Sequence, residues 1–155
     1  MRALAIILLY GFCLFGSQLF GMIRPERTDW KETTRHGEVL QILKTAAETH
    51  PRMHYTTLGY TNEGREIPLL VIGPDYLPTP EQAITSQTLR VYLQGNIHAG
   101  EVAGKEALLR LVKKLSTGWQ DPWTRDWMLL INPNYNPDGN ERIHLENRLL
   151  QHGPI

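Results

Sequence analysis

The stretch that decides the fold lies between positions 89 and 131. It opens with the β-rich run Leu-Arg-Val-Tyr-Leu-Gln-Gly-Asn-Ile at Leu89–Ile97, and a helical pattern of apolar residues follows at Glu101–Leu115. Trp127–Ile131, which reads Trp-Met-Leu-Leu-Ile, has the composition of a second buried strand. Strand, helix and strand at this spacing predict a βαβ unit, whose strands run parallel through a right-handed crossover.

The segment ahead of this unit is predicted to form a helix and then a β-hairpin. Thr28–His50 carries apolar residues at helical spacing and ends before a proline. His54–Tyr60 and Ile67–Ile72 have strand composition, with an Asn-Glu-Gly turn signal between them. Gly73–Gln87 is polar and holds three prolines, so it is predicted to be a loop. These elements place the chain in the α/β class.

Composition and charge limit the function classes. The 155 residues, 41% hydrophobic and 21% charged, are typical of one globular domain and argue against global disorder. Lysines and arginines number 16, as do the acidic residues, so the formal net charge is zero. Because no basic block occurs, we do not expect nucleic acid as a partner.

The first 21 residues have the pattern of a signal peptide. Arg2 supplies a positive charge, and the apolar run Ala3–Phe15 follows it. The alternative is an uncleaved membrane anchor, since Ala3–Phe20 is about the minimum length that spans a bilayer. We expect export to the periplasm or the medium, with membrane contact only if the leader stays attached. Cys13 lies in the leader, so residues 22–155 contain no cysteine.

The candidate site is His98-Ala99-Gly100-Glu101, at the end of one predicted strand and the start of a helix. Zinc accepts imidazole nitrogen and carboxylate oxygen together, and a spacing of three places both side chains on one side of a helix start. Sites of open α/β sheets lie at the carboxyl ends of strands. The ordinary alternative is an exposed histidine beside a glutamate that stabilises the helix dipole. The metal interpretation predicts that both side chains point at one position.

Three motifs, in order, resemble those of M14-type zinc metallocarboxypeptidases. In chain order they are Gly64–Leu69 in the hairpin, Gly95–Glu101, which includes the candidate pair, and Asn136-Pro137-Asp138-Gly139 after a buried strand. The resemblance covers roughly residues 29–155. It implies a mixed central β-sheet flanked by helices, with a Zn²⁺ ion at its centre, and hydrolysis of a peptide substrate at its carboxyl end.

The resemblance also implies where the site residues lie. The family's first histidine ligand and its glutamate ligand fall on His98 and Glu101. Its third ligand, a histidine, and the glutamate that acts as general base come later than Ile155. Residues 22–155 are therefore expected to be the N-terminal part of a truncated domain with no catalytic residue of its own, inactive alone, and with unknown substrate-binding residues. His144 and His152 are expected to be loop histidines.

Two positions of the resemblance need separate comment. The arginine with which classical members polarise the scissile carbonyl is replaced by Gln151, which predicts weaker oxyanion stabilisation unless a later arginine serves. Asn136–Gly139 is predicted to be a turn in which Pro137 fixes φ and Gly139 accepts positive φ, with no direct catalytic role for Asp138.

Two other functions stay open at this point. A deacylase of N-acyl amino acids also uses a His-x-x-Glu pair, although the hairpin and Asn-Pro-Asp-Gly motifs favour the peptidase. A non-catalytic binding module that keeps the fold and lacks the general base is the second alternative.

Overall fold

Four strands form one sheet, with helices packed against it. The computed structural model describes residues 21–73, 80–85, 87–117 and 127–144. The elements in chain order are α1 Arg24–Arg27, α2 His36–Thr49, β1 Met53–Tyr60, β2 Glu66–Ile72, α3 Pro80–Thr85, β3 Leu89–Gln94, α4 Val102–Ser116, β4 Trp127–Asn132 and α5 Pro137–Glu141.

The sheet is mixed, with the strand order β1-β2-β4-β3. β1 and β2 form the antiparallel hairpin that the Asn-Glu-Gly turn predicts, and β2 pairs antiparallel with β4. β3 and β4 lie side by side and parallel, from Leu89 opposite Trp127 to Gln94 opposite Asn132. The predicted βαβ unit and the predicted mixed sheet flanked by helices are therefore confirmed.

The core lies between the sheet and the two long helices. Val39, Leu43 and Ala46 recur at helical spacing along α2 and are fully buried. They meet apolar residues of α4 and of the central strands, and the shared cluster of buried side chains is Ile23, Val39, Leu43, Ala46, Met53, Leu70, Ile72, Leu109, Val112, Leu115, Leu129 and Ile131. Burial of one such aliphatic side chain contributes about 1.5–3 kcal/mol.

Two predicted elements differ in the structure. The first helix begins at His36 and not at Thr28, because Asp29 and Trp30 have φ of 53° and 60° and interrupt any helix there. Part of the predicted loop 73–87 is helical, as α3 at Pro80–Thr85. No helix within the described ranges is long and apolar enough to cross a membrane. Residues 1–20 of the predicted leader, which was placed at residues 1–21, lie outside those ranges.

The predicted strand Leu89–Ile97 ends at Gln94, and the chain then passes very close to α4. A Cβ atom on Gly95 would lie 2.9 Å from the backbone carbon of Gly104, 2.9 Å from the nitrogen of Lys105 and 3.1 Å from the carbonyl oxygen of Pro133. No side chain fits in that space, so glycine allows the end of β3 to pack against the start of α4. This contact fixes where the next few residues emerge.

Candidate metal centre

His98 and Glu101 face each other where the loop after β3 enters α4. The Nδ1 atom of His98 lies 3.0 Å from Oε2 of Glu101. The backbone N–H of Glu101 donates to the carbonyl of His98 at 3.2 Å. Gly100 has φ of 81°, which few other residues adopt without strain, and so closes the turn. The structure thus brings the two predicted ligands together.

The donor pair fits a zinc ion. Zinc binds imidazole nitrogen and carboxylate oxygen at about 2.0–2.2 Å with tetrahedral angles, which separates two ligand atoms by about 3.4 Å. The observed 3.0 Å needs only a small side-chain adjustment. The two side chains are 62% and 46% exposed, which leaves room for further ligands. The same contact also serves as an ordinary hydrogen bond, so the metal role of His98 and Glu101 stays a prediction.

No third protein ligand lies beside the pair among the residues that the structure describes. Within the ranges that the structure describes, no three His, Cys, Asp or Glu side chains form a group able to hold a metal. His144 belongs to those ranges and is exposed. His152 and Gln151 lie outside the described residues.

The loop after β4 holds the segment that leads to His98. Backbone bonds join the two: the N–H of Tyr135 donates to the carbonyl of Gly95 and that of Asn136 to the carbonyl of Asn96, both at 3.1 Å. The side-chain Nδ2 of Asn136 donates to the carbonyl of Ile97 at 3.2 Å. The two loops therefore continue the parallel β3–β4 pairing beyond the ends of the strands.

The Asn-Pro-Asp-Gly motif forms the start of α5 rather than a turn with positive φ. Asn136 caps this helix, since its Oδ1 accepts the backbone N–H of Gly139 at 2.9 Å. The prediction that Gly139 takes positive φ is wrong. Glycine is needed there for space, because a Cβ would lie 2.8 Å from Nδ2 of Asn136 and 3.1 Å from Cβ of Ala99.

Asp138 joins this motif to the β1–β2 turn. Its carboxylate accepts bonds from the hydroxyl of Thr61 at 2.8 Å, from the guanidinium of Arg65 at 2.6 Å and from the N–H of Glu63 at 3.4 Å. Partial desolvation raises the pKa of Asp138, but the bonds from Arg65 and Thr61 outweigh it and hold the pKa below the usual range. The Asp138–Arg65 pair thus links two motifs that are more than 70 residues apart in the sequence.

Sequence reasoning missed a buried polar network behind the pair. Lys105 has no exposed surface. Its Nζ donates to the carbonyl of Thr34 at 2.6 Å and to Oδ1 of Asn140, and lies 3.6 Å from Oε1 of Glu106. Glu106 in turn accepts bonds from the hydroxyls of Thr33 and Thr34, each at 2.6 Å. The network joins α4, α5 and the extended segment before α2.

The network extends to Asn96, which is 3% exposed and has φ of 54°. Its Nδ2 donates to Oδ1 of Asn134 at 2.7 Å and to Oδ1 of Asn140 at 3.4 Å. Nδ2 of Asn134 lies 3.3 Å from Nδ1 of His36. The asparagines at alternate positions 132, 134 and 136 are the sequence signal that could have revealed these contacts.

His36 gives the fold a dependence on pH. It is 7% exposed, and burial lowers its pKa although Glu141 opposes the shift. The unfolded chain then binds a proton more readily than the folded chain below about pH 6.5, so stability falls as the pH falls through that range. The free energy of unfolding is to be measured by urea titration between about pH 7.5 and 5.5. As the pH falls, we expect this free energy to decrease less steeply in His36→Phe than in the unchanged chain, with a difference in slope of at most about 1.4 kcal/mol per pH unit. An unchanged slope would contradict this.

A groove beside α4 does not identify a substrate pocket. Its volume is about 800 Å³, and Arg24, Trp30, Val102 and Arg110 are among the residues that line it. Neither His98 nor Glu101 does so. The substrate-binding residues therefore stay unassigned.

Comparison with known proteins decides the family. The sequence profile of zinc carboxypeptidases, peptidase family M14, matches residues 39–153. The chain belongs to the zinc carboxypeptidase family. Carboxypeptidase 2 of Trichophyton rubrum and that of Trichophyton equinum are each 30% identical to it over 112 residues. Those matches cover 68% of this chain but 20% of each relative, so the chain spans about a fifth of the length of these curated relatives.

Solved structures agree with this zinc carboxypeptidase assignment. A metallo-carboxypeptidase from Burkholderia cenocepacia has 31% identity and a TM-score of 0.52, over 66% of this chain and 27% of that one. Carboxypeptidase A from Helicoverpa armigera has 23% identity and a TM-score of 0.57, over 69% of this chain and 25% of that one, and it supports the fold alone. The predicted family is thus confirmed, and it is a family of zinc-dependent peptide hydrolases.

Proposed function

We propose that this zinc carboxypeptidase segment supplies two ligands, His98 and Glu101, to a catalytic zinc ion that serves removal of carboxyl-terminal residues from peptides. The proposal is supported by the 3.0 Å approach of the two donor atoms at a strand-to-helix switch, within a chain of this family. The third histidine and the general base are proposed to come from a part of the family domain later than these motifs. Because Gln151 stands where classical members have the arginine that polarises the scissile carbonyl, that arginine is also proposed to come from the later part of the domain.

The residues in hand have separate tasks in this proposal. When bound, zinc supplies a Lewis acid that polarises a carbonyl and activates water. His98 and Glu101 hold and orient the ion, and their open position admits a peptide. Asn136 fixes the carbonyl of Ile97 and so the direction in which His98 leaves the loop. Export, with residues 1–21 as a leader, is also proposed because the positive charge of Arg2 is followed by the apolar run Ala3–Phe15.

Zinc binding by the purified full chain tests the proposal. In equilibrium dialysis at saturating zinc we expect one Zn²⁺ ion per chain, held weakly because His98 and Glu101 are two of the three protein ligands that catalytic zinc sites use. We expect His98→Ala to abolish that binding. Glu101→Gln is expected to weaken it, because a neutral amide oxygen replaces a charged carboxylate ligand.

His54 offers a matched control, because it is an exposed histidine on β1, away from the pair. His54→Ala is expected to bind zinc as the unchanged chain does. Equal loss of zinc in the two alanine variants would show that binding is unspecific and would refute the assignment of His98.

A further inference from the structure

The buried network touches the chain on both sides of the proposed ligand pair. Asn96 precedes His98 by two residues. Lys105 follows Glu101 by four residues, which is about one turn along α4. Asn140 joins them, since its Oδ1 accepts from Nζ of Lys105 and, at 3.4 Å, from Nδ2 of Asn96. One set of hydrogen bonds therefore connects the two chain segments that carry the pair.

Asn96 is held in an uncommon backbone conformation. A φ of 54° lies in the left-handed region, which asparagine tolerates better than most residues but which still costs free energy relative to an extended conformation. Its side chain is pinned by Asn134 at 2.7 Å, and its carbonyl by the N–H of Asn136 at 3.1 Å. This conformation turns the chain sharply after β3, and so it decides where His98 is presented.

We propose that Asn96, fixed by Asn134 and by the Lys105–Asn140 contact, is a positioning residue that sets the distance between His98 and Glu101. The part of this inference that concerns zinc affinity rests on the proposed function, in which the pair binds zinc. The hydrogen bonds of the network described above end on the segments that flank the pair. The network holds the left-handed turn at Asn96, on the His98 side of the pair, and the first turns of α4, on the Glu101 side. The backbone of Gly95 also packs against that of Gly104 and Lys105, between the turn and the helix.

Asn96→Gly isolates this role. Glycine adopts positive φ without strain, so the turn stays accessible, while the hydrogen bonds made by the side-chain amide of Asn96 are lost. Replacement of residues that hydrogen-bond to metal ligands typically changes metal affinity about 10- to 100-fold, and Asn96 acts through the backbone one step further away, so the lower end of that range is expected. We expect Asn96→Gly in the full chain to bind Zn²⁺ about 10-fold more weakly in equilibrium dialysis, under conditions where urea titration shows both proteins folded.

Thr57→Val is the matched control. The hydroxyl of Thr57 bonds within the hairpin, to the carbonyls of Gly59 and Ile67 at 2.8 and 3.0 Å, and has no link to the network. It is expected to lower stability and to leave zinc affinity unchanged. If Asn96→Gly binds zinc as tightly as the unchanged chain, or if Thr57→Val weakens binding equally, the positioning role is refuted.

A second measurement needs no metal. The amide of Glu101 donates to the carbonyl of His98, so its hydrogen exchange reports the turn itself. We expect Asn96→Gly to speed exchange at Glu101 at least 10-fold and Thr57→Val to leave it unchanged. If the unchanged chain fails to bind zinc through His98, the proposed function fails, and this measurement still decides the inference: unaltered exchange at Glu101 overturns it, and faster exchange supports it.

Discussion

Replacement of Lys105 by methionine is expected to lower the free energy of unfolding by about 3–5 kcal/mol. The variant keeps the length of the side chain but removes a fully buried ammonium group. The carboxylate of Glu106 then loses its cationic neighbour at 3.6 Å, and the carbonyl of Thr34 loses a 2.6 Å bond. An unpaired buried charge is among the most destabilising changes in a protein. Urea unfolding followed by circular dichroism measures the loss.

Lys44→Met is the control for a lysine in an exposed pair. Lys44 is 47% exposed and lies 3.5 Å from Glu66, so its loss is expected to cost less than about 1 kcal/mol. The double variant Lys105→Met/Glu106→Gln removes the buried charge as well, and should regain part of the stability. A Lys105→Met protein within about 1 kcal/mol of the unchanged chain would show that the ammonium group contributes little net stability.

The purified full chain with added zinc is expected to leave peptides uncleaved. Catalytic zinc sites use three protein ligands, and His98 and Glu101 supply two. A general base alone typically contributes 10²- to 10⁴-fold to the rate, and none is assigned in this chain. The measurement is release of the terminal residue from a peptide with a free carboxyl end, compared with the same peptide amidated at that end.

Zinc-dependent release that His98→Ala abolishes would contradict this expectation. It would mean that the chain itself completes the site, and His144→Ala and His152→Ala would then show which histidine provides the third ligand. Release that persists in His98→Ala would instead point to a contaminating peptidase.

Local sequence signals predicted the approach of His98 and Glu101, but they did not predict the buried polar network behind the pair. His98 and Glu101 meet because both lie in the short connection between the end of β3 at Gln94 and the start of α4 at Val102. Composition and periodicity indicate this change from strand to helix directly. Lys105 and Glu106 read as an ordinary charged pair on a helix. They are buried because Thr33 and Thr34, about 70 residues earlier, cover them and satisfy the carboxylate, and no short window of sequence contains that contact.

The start of α2 was misplaced for a similar reason. Thr28–Arg35 has residues that a helix accepts, but Asp29 and Trp30 take left-handed conformations, and Thr34 is drawn to Glu106. Tertiary contacts here override local preference. The β1–β2 and β3–β4 pairings were predictable, because the hairpin turn and the βαβ spacing each favour one arrangement. The antiparallel pairing of β2 with β4 was not predicted, since it joins strands about 60 residues apart.

The position of β4 in the sheet has a consequence for how the chain folds during synthesis. β1 and β2 are neighbours in sequence, and such hairpins close in about 1–10 μs. The other edge of β2 stays unpaired until β4 has been synthesised, because Leu70 pairs with Ile131, roughly 60 residues later. At about 5–20 residues per second, the ribosome leaves the apolar edge of β2 without its partner for about 3–12 s. During that interval the nascent chain presents an unpaired apolar strand edge to chaperones and to aggregation.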